Sequence, residues 1–242
     1  MLTLKLQDIS QTPILKCQSY NDYFRFYLLS NILKSLYKNS KEKILILDVG
    51  GGEGNLSLFL DRKKFDYFLL DASKENIQRA SKKKIKSVVH KECNLPFRNN
   101  SFDAVLCIHM LEHISNELFR EKLCKEFIRV SKGYVILIFP QGKYFKLFEK
   151  LNSKLLKKNG RSFLNVSDHF LLKPVDMGRI KILFKDADVK YMTNLFLNSI
   201  LIILWYVPVP FISWFIYFLT PLLAFVYKTG PCRDAVIIYS KH

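Results

Sequence analysis

Three glycines at alternate positions, Gly50, Gly52 and Gly54, with Gly51 among them, follow an apolar run that carries an acid near its end, Ile44-Leu45-Ile46-Leu47-Asp48-Val49. Glycine reaches left-handed backbone without strain and lets a ligand approach the main chain with no Cβ in the way. An apolar run, an acid, a glycine cluster and then a helix-type segment over residues 55–60 together predict a ligand at the carboxyl end of the first strand of an open α/β sheet. A second carboxylate stands at a telling distance. The next apolar run, residues 65–70, ends at Asp71, followed by Ala72 and Ser73. Asp71 lies about 20 residues past the glycines, where such sheets bind ribose hydroxyls, and a carboxylate accepts the two hydrogen bonds that a vicinal diol offers. The structural alternatives are a tight strand-to-helix turn for the glycines and a helix N-cap for Asp71.

A third motif is Asn94-Leu95-Pro96-Phe97, followed by Asn100-Ser101-Phe102-Asp103 and then Leu111-Glu112-His113-Ile114. With the Asp48–Gly54 loop and Asp71, it resembles the ubiquinone/menaquinone-type branch of the class I S-adenosylmethionine (SAM) dependent methyltransferases. The resemblance covers roughly residues 43–140. It implies a Rossmann-like, seven-stranded, doubly wound α/β sheet and SAM as the cofactor. It also implies that Asp48, Gly50, Gly51, Gly52 and Gly54 lie near the methionine end of SAM, Asp71 and Ala72 at the ribose, and Cys93, Asn94 and Leu95 at the adenine. His109 would border the methyl donor. One residue departs from the family pattern: Lys91 stands where an acid is usual, and Glu92 is one position off.

Methyl transfer needs a base only when the acceptor is a hydroxyl or a protonated amine. Histidine titrates near neutrality and suits that role. The resemblance makes His109, His113 and His169 the catalytic candidates, with Glu112 beside them, and Ser167-Asp168-His169-Phe170 as a substrate-side loop. Capping and packing are the plainer roles for each histidine.

The elements that must hold these residues recur in order. Strand-type runs at residues 44–48, 66–71, 85–90, 102–108 and 134–139 alternate with helical patterns, which predicts a parallel sheet. Two more runs, at 188–193 and 235–240, complete the seven strands the resemblance implies. The organisation expected is one domain over residues 1–242. It has a helical leader (1–40), a SAM-binding core (41–142), a basic helix and substrate side (143–196), an apolar insert (197–230) and a last strand (231–242). The five cysteines, Cys17, Cys93, Cys107, Cys124 and Cys232, are scattered with no C-x-x-C pair, against a disulfide framework and against a metal site. No charged segment followed by an apolar core opens the chain, so no signal peptide is expected.

Charge and hydropathy point to the partner. The formal net charge is +17, which favours nucleic acid, a membrane surface or phosphorylated substrates. On a helix over residues 143–161 seven basic residues, Arg161 among them, fall within about 100° of arc, the pattern of a helix lying on an anionic surface or of a solvated lysine face. Between Lys190 and Lys228 there are 37 residues without a charge. Prolines at 208 and 210 divide them into pieces of roughly 13 and 17 residues, near or below the length that spans a bilayer. A helical hairpin dipping into one leaflet is the expectation, with a dimer interface, a lid and a double crossing as alternatives. The reading is a SAM-dependent methyltransferase at the cytoplasmic face of a membrane, bound through residues 197–227 and acting on a hydrophobic or lipid-linked acceptor. The rivals are a soluble methyltransferase acting on RNA or a small metabolite, and a non-catalytic SAM-binding protein.

Overall fold

The computed structural model describes residues 13–17, 19–141, 175–194, 197, 200, 201, 204, 210–230 and 232–241. The basic segment 143–161 and the Asp168-His169 loop fall outside the described residues, as does most of 195–209. Seven strands form one sheet: β1 (Ile44–Val49), β2 (Phe65–Asp71), β3 (Lys86–Val89), β4 (Phe102–Ile108), β5 (Ser131–Pro140), β6 (Asp188–Asn194) and β7 (Cys232–Ser240). Their order is β3-β2-β1-β4-β5-β7-β6. All pair in parallel except β7, which runs antiparallel between β5 and β6. The doubly wound fold expected from the alternation is therefore present.

The central strands are continuous apolar runs because both faces are covered. Ile44 and Ile46 of β1 point into one core, Leu47 and Val49 into the other. The first core is closed by the leader, α1 (Pro13–Lys16) and α2 (Tyr20–Leu36). The second is closed by α4 (Glu117–Val130) and α5 (Met177–Leu183). The intervening α3 (Lys74–Lys82) follows β2. Side-chain caps start these helices: Ser19, Ser73, Asn116 and Asp176 accept from Asp22, Asn76, Phe119 and Gly178 N–H groups.

Two expectations are corrected. The segment after the glycines is no full helix but a single 3-10 turn, Asn55–Leu58. Its continuation is diverted: the Asp61 carbonyl accepts from Lys64 and Phe65 N–H, which turns the chain straight into β2. Phe59 packs on Tyr23 and Phe26, so α2 covers the face that a longer helix would have covered.

The insert also differs from a hairpin that leaves the protein. Its described helices are α6 (Pro210–Phe218) and α7 (Thr220–Tyr227). Tyr20 hydrogen-bonds Ser213 at 2.8 Å and Tyr23 hydrogen-bonds Thr220 at 3.1 Å. Tyr227 is fully buried, stacked on Phe24 at 5.4 Å. One face of the insert thus belongs to the first core. No helix among the described residues is long and apolar enough to cross a membrane.

Candidate functional site at the carboxyl edge of the sheet

The strand order reverses between β1 and β4, so a crevice opens at their carboxyl ends. The glycine loop sits there. Gly50, Gly52 and Gly54 all have left-handed backbones, with φ of 75°, 58° and 73°. Two of the loop glycines are also required by space. A Cβ on Gly50 would collide with the Met110 side chain, and one on Gly51 with the Asp48 carboxylate and Leu69. A Cβ on Gly52 would meet nothing within 4 Å, so the crest of the loop faces open space.

Beneath the loop Asp48 is 1% exposed. The Tyr67 hydroxyl donates to its Oδ2 at 2.5 Å, while Oδ1 has no hydrogen-bond partner among the described residues. Burial raises its carboxyl to about 7; the Tyr67 bond opposes the rise, and the nearby Asp71 charge adds to it. Asp71 ties the loop to β2. Its Oδ2 accepts from Gly52 N–H at 2.9 Å, and its Oδ1 accepts from Ser73 N–H at 2.9 Å and from the Asn76 amide at 3.2 Å. Asp71 therefore braces the turn before α3 and keeps part of its acceptor capacity. The N-cap of α3 is not Asp71, as the structural alternative had it, but Ser73, whose hydroxyl accepts from Asn76 N–H.

The other candidates border this centre unequally. Ala72 and Asn94 are exposed, and Cys93 is half-buried. They lie on the turns after β2 and β3, and the His90 N–H bond to the Asp71 carbonyl at 2.9 Å brings the second turn beside the first. Leu95 is buried, and its N–H donates to Glu126 at 2.8 Å. Arg129 of α4 then binds the Leu95 and Phe97 carbonyls at 3.0 and 2.8 Å. This bracing of the Leu-Pro-Phe turn by Glu126 and Arg129 was not legible in the sequence. Nor was the pair Arg79–Glu53 at 2.6 Å, which with Lys83 holds the far side of the glycine loop.

The rim beyond β4 contains a buried polar cluster. His109 has a left-handed backbone, φ 51°. Its Nδ1 lies 2.9 Å from Glu112 Oε1, and its Nε2 lies 3.3 Å from Asp234 Oδ2, close but poorly aimed for a hydrogen bond. Asp234, at the start of β7, is wholly buried. Burial would raise its carboxyl, but Arg233 and His109 outweigh that and hold it well below the usual range. Thr193 of β6 lies 2.5 Å from Asp234 Oδ2 and 3.1 Å from the Tyr227 hydroxyl, which in turn donates to the Asn21 carbonyl at 3.3 Å. His113 is exposed on the 3-10 turn Leu111–His113. The structure thus brings Asp48, the glycines and Asp71 together, and sets His109 next to them through Met110. His169 lies outside the described residues. Among the described residues no cluster of side chains suits a metal ion. A cavity of about 190 Å³ between α4 and α5, lined by Arg120, Cys124, Asp176 and Arg179, is separate from this edge.

Comparison with known proteins agrees with the geometry. A family model described as a methyltransferase domain matches residues 47–139. An uncharacterized protein of Methanocaldococcus jannaschii is 34% identical over 122 residues, which are 50% of this chain and 50% of that protein. A tRNA (carboxymethyluridine(34)-5-O)-methyltransferase of Arabidopsis thaliana is 34% identical over 96 residues, 38% of this chain and 23% of that protein. The chain thus spans half the length or less of these curated relatives. A SAM-dependent methyltransferase structure from Archaeoglobus fulgidus superposes with a TM-score of 0.57 at 16% identity, covering 92% of this chain and 98% of that one. The plantazolicin methyltransferase BpumL, in complex with SAH, gives 0.59 at 14% identity, covering 98% and 90%. At such identities these two likenesses establish the fold. The matched methyltransferase domain takes in the glycine loop, Asp71 and the rim, and the fold is that of the class I SAM-dependent methyltransferases.

Proposed function

We propose that this protein binds SAM at the carboxyl edge of β1, β2 and β4 and transfers its methyl group to a hydrophobic or lipid-linked acceptor. One observation carries the reading: an open glycine crest lies over a buried carboxylate, one oxygen of which has no hydrogen-bond partner among the described residues. That arrangement fits a ligand with a cationic end. In this reading Asp48 and Gly50, Gly51, Gly52 and Gly54 hold the methionine end, Asp71 and Ala72 the ribose, and Cys93, Asn94 and Leu95 the adenine. SAM supplies an electrophilic methyl on a sulfonium, whose leaving group is already good.

The chain's own contribution is alignment and exclusion of water. Glu112 holds the Nδ1 edge of the His109 ring at the rim, where the ring orients the acceptor. His109 takes a proton only if the acceptor's nucleophile must lose one, with His113 and His169 as the other candidates. An apolar acceptor is supported by the surroundings: the aromatic leader and α7 meet β6 beside this edge. We place the encounter at the cytoplasmic face of a membrane.

A second reading, an RNA acceptor, is favoured by the +17 charge and by the tRNA-methylating relative. Two measurements test the proposal. Calorimetry with SAM should show binding that Asp71→Ala weakens by more than tenfold; unchanged affinity would remove Asp71 from the ribose site. Methyl-labelled SAM incubated with an extract of the source cells should then label the organic phase, and a Gly52→Arg control should not. Label confined to nucleic acid would replace the lipid acceptor with RNA.

A further inference from the structure

The two faces of the α6–α7 segment have opposite fates. Assigning about 100° per residue through the near-continuous turn at Leu219, Ser213, Ile216, Thr220, Ala224 and Tyr227 fall within one arc of roughly 80°. That arc packs on the leader and the sheet. Phe215, Phe218, Leu222 and Phe225 fall within a second arc of similar width, centred about 180° away. These four are between 57% and 68% exposed. Their spacing of three, four and three residues is the stripe of a helix that buries one side in protein and offers the other to something else.

We infer that this outward stripe seats the protein on an anionic lipid surface. Three observations select that occupant. The segment from residue 191 to residue 227 carries no charge. Lys228, exposed, follows α7 directly, and Lys16 ends α1, which packs against α6. The chain as a whole is at +17. A second copy docked face to face would bring like charges and their lysine fringes together, whereas an anionic bilayer accepts both the apolar stripe and the lysines around it. Phosphate-rich nucleic acid would satisfy the lysines and leave three phenylalanines and a leucine uncovered.

The stripe is about 15 Å long, half the thickness of a hydrocarbon core, so it lies along the surface instead of crossing it. Tyr217, exposed at its flank, is suited to the headgroup level. This surface concerns where the protein sits, and it stands independently of methyl transfer.

The test is flotation of the full chain with vesicles of phosphatidylcholine containing roughly one-third phosphatidylserine. The wild type should float, and should stay behind with pure phosphatidylcholine or in high salt. L222S/F225S, two exposed changes on the outward stripe, should lower the partition at least about tenfold, because each removes an inserted apolar side chain. SAM binding by calorimetry should be unchanged in that variant, so failure of docking and failure of the cofactor reading are told apart. Flotation that survives the double substitution, equal flotation with neutral vesicles, or a wild type that ignores anionic vesicles and sediments as a dimer dispersed by L222S/F225S would each overturn the inference.

Discussion

Asp48→Asn tests whether a buried, proton-holding carboxyl lies beneath the glycine loop. Asp48 is raised from 3.8 to about 7, chiefly by burial. The folded protein therefore keeps a proton that the unfolded chain has released between about pH 4 and pH 7. The unfolded state binds fewer protons there, so stability falls as pH rises through this window and levels off above it. At about 1.4 kcal/mol per unit, the part of the window between pH 5 and pH 7 is worth about 3 kcal/mol. An asparagine keeps an oxygen for the Tyr67 hydroxyl and cannot ionise. Urea unfolding at pH 5 and pH 8, followed by far-ultraviolet circular dichroism, should then show the variant gaining about 3 kcal/mol on the wild type between the two conditions. Glu53, Glu126 and Asp234 are held below their ordinary values, titrate at lower pH and cancel in the difference. Parallel curves for the two proteins from pH 5 to pH 8 would refute the argument, because Asp48 would then be ionised throughout. If a cationic ligand end also displaces that proton, SAM titrated near pH 7 in phosphate and in Tris should give different apparent enthalpies, and the Asp48→Asn variant should give equal ones.

Gly50→Ala combines a left-handed backbone with a collision against Met110, whereas Gly52→Ala meets only the backbone strain of about 1–2 kcal/mol. Thermal melts should therefore place Gly50→Ala below Gly52→Ala. Asp234→Asn removes the charge of a wholly buried carboxyl that Arg233, His109 and Thr193 contact and should cost about 1–3 kcal/mol in denaturant unfolding. Because the Asp234 carboxyl is depressed, its contribution is present above the ordinary carboxyl range and lost only as pH falls through the folded value. Tyr227→Phe removes the hydroxyl between Thr193 and the Asn21 carbonyl and should cost about 1 kcal/mol by the same measurement, with SAM affinity retained.

The strands were legible because burial on both faces makes each a continuous apolar run; β4 spans Phe102–Ile108 as read, and β1 and β2 differ by one residue. Asp48, the glycines and Asp71 were legible because each follows its strand directly, so chain order alone gathers them. The 3-10 turn after the loop was not, since whether Phe59 continues a helix depends on Tyr23 and Phe26, over thirty residues earlier. The insert shows a related limit. A chargeless sequence looks the same whether protein or lipid buries it, and here the leader buries one side. The His109–Asp234–Thr193–Tyr227 cluster is drawn from separate elements that the pairing of β4, β5, β7 and β6 and the packing of α7 bring together. Its one local signal was the charged pair Arg233-Asp234 at the head of an otherwise apolar strand.

The place of β7 has a consequence for synthesis. It follows β6 in sequence but lies between β5 and β6 in the sheet. While a ribosome is still making residues before 232, β5 has a bare edge and β6 has no neighbour to pair with. The same nine residues that fill the gap also deliver Asp234 to His109. A nascent chain can therefore shape its glycine loop early but completes its rim only when the sheet itself is complete. Interrupted chains would carry a formed cofactor edge beside an open, aggregation-prone strand edge, and they would be visible to quality control by that edge alone.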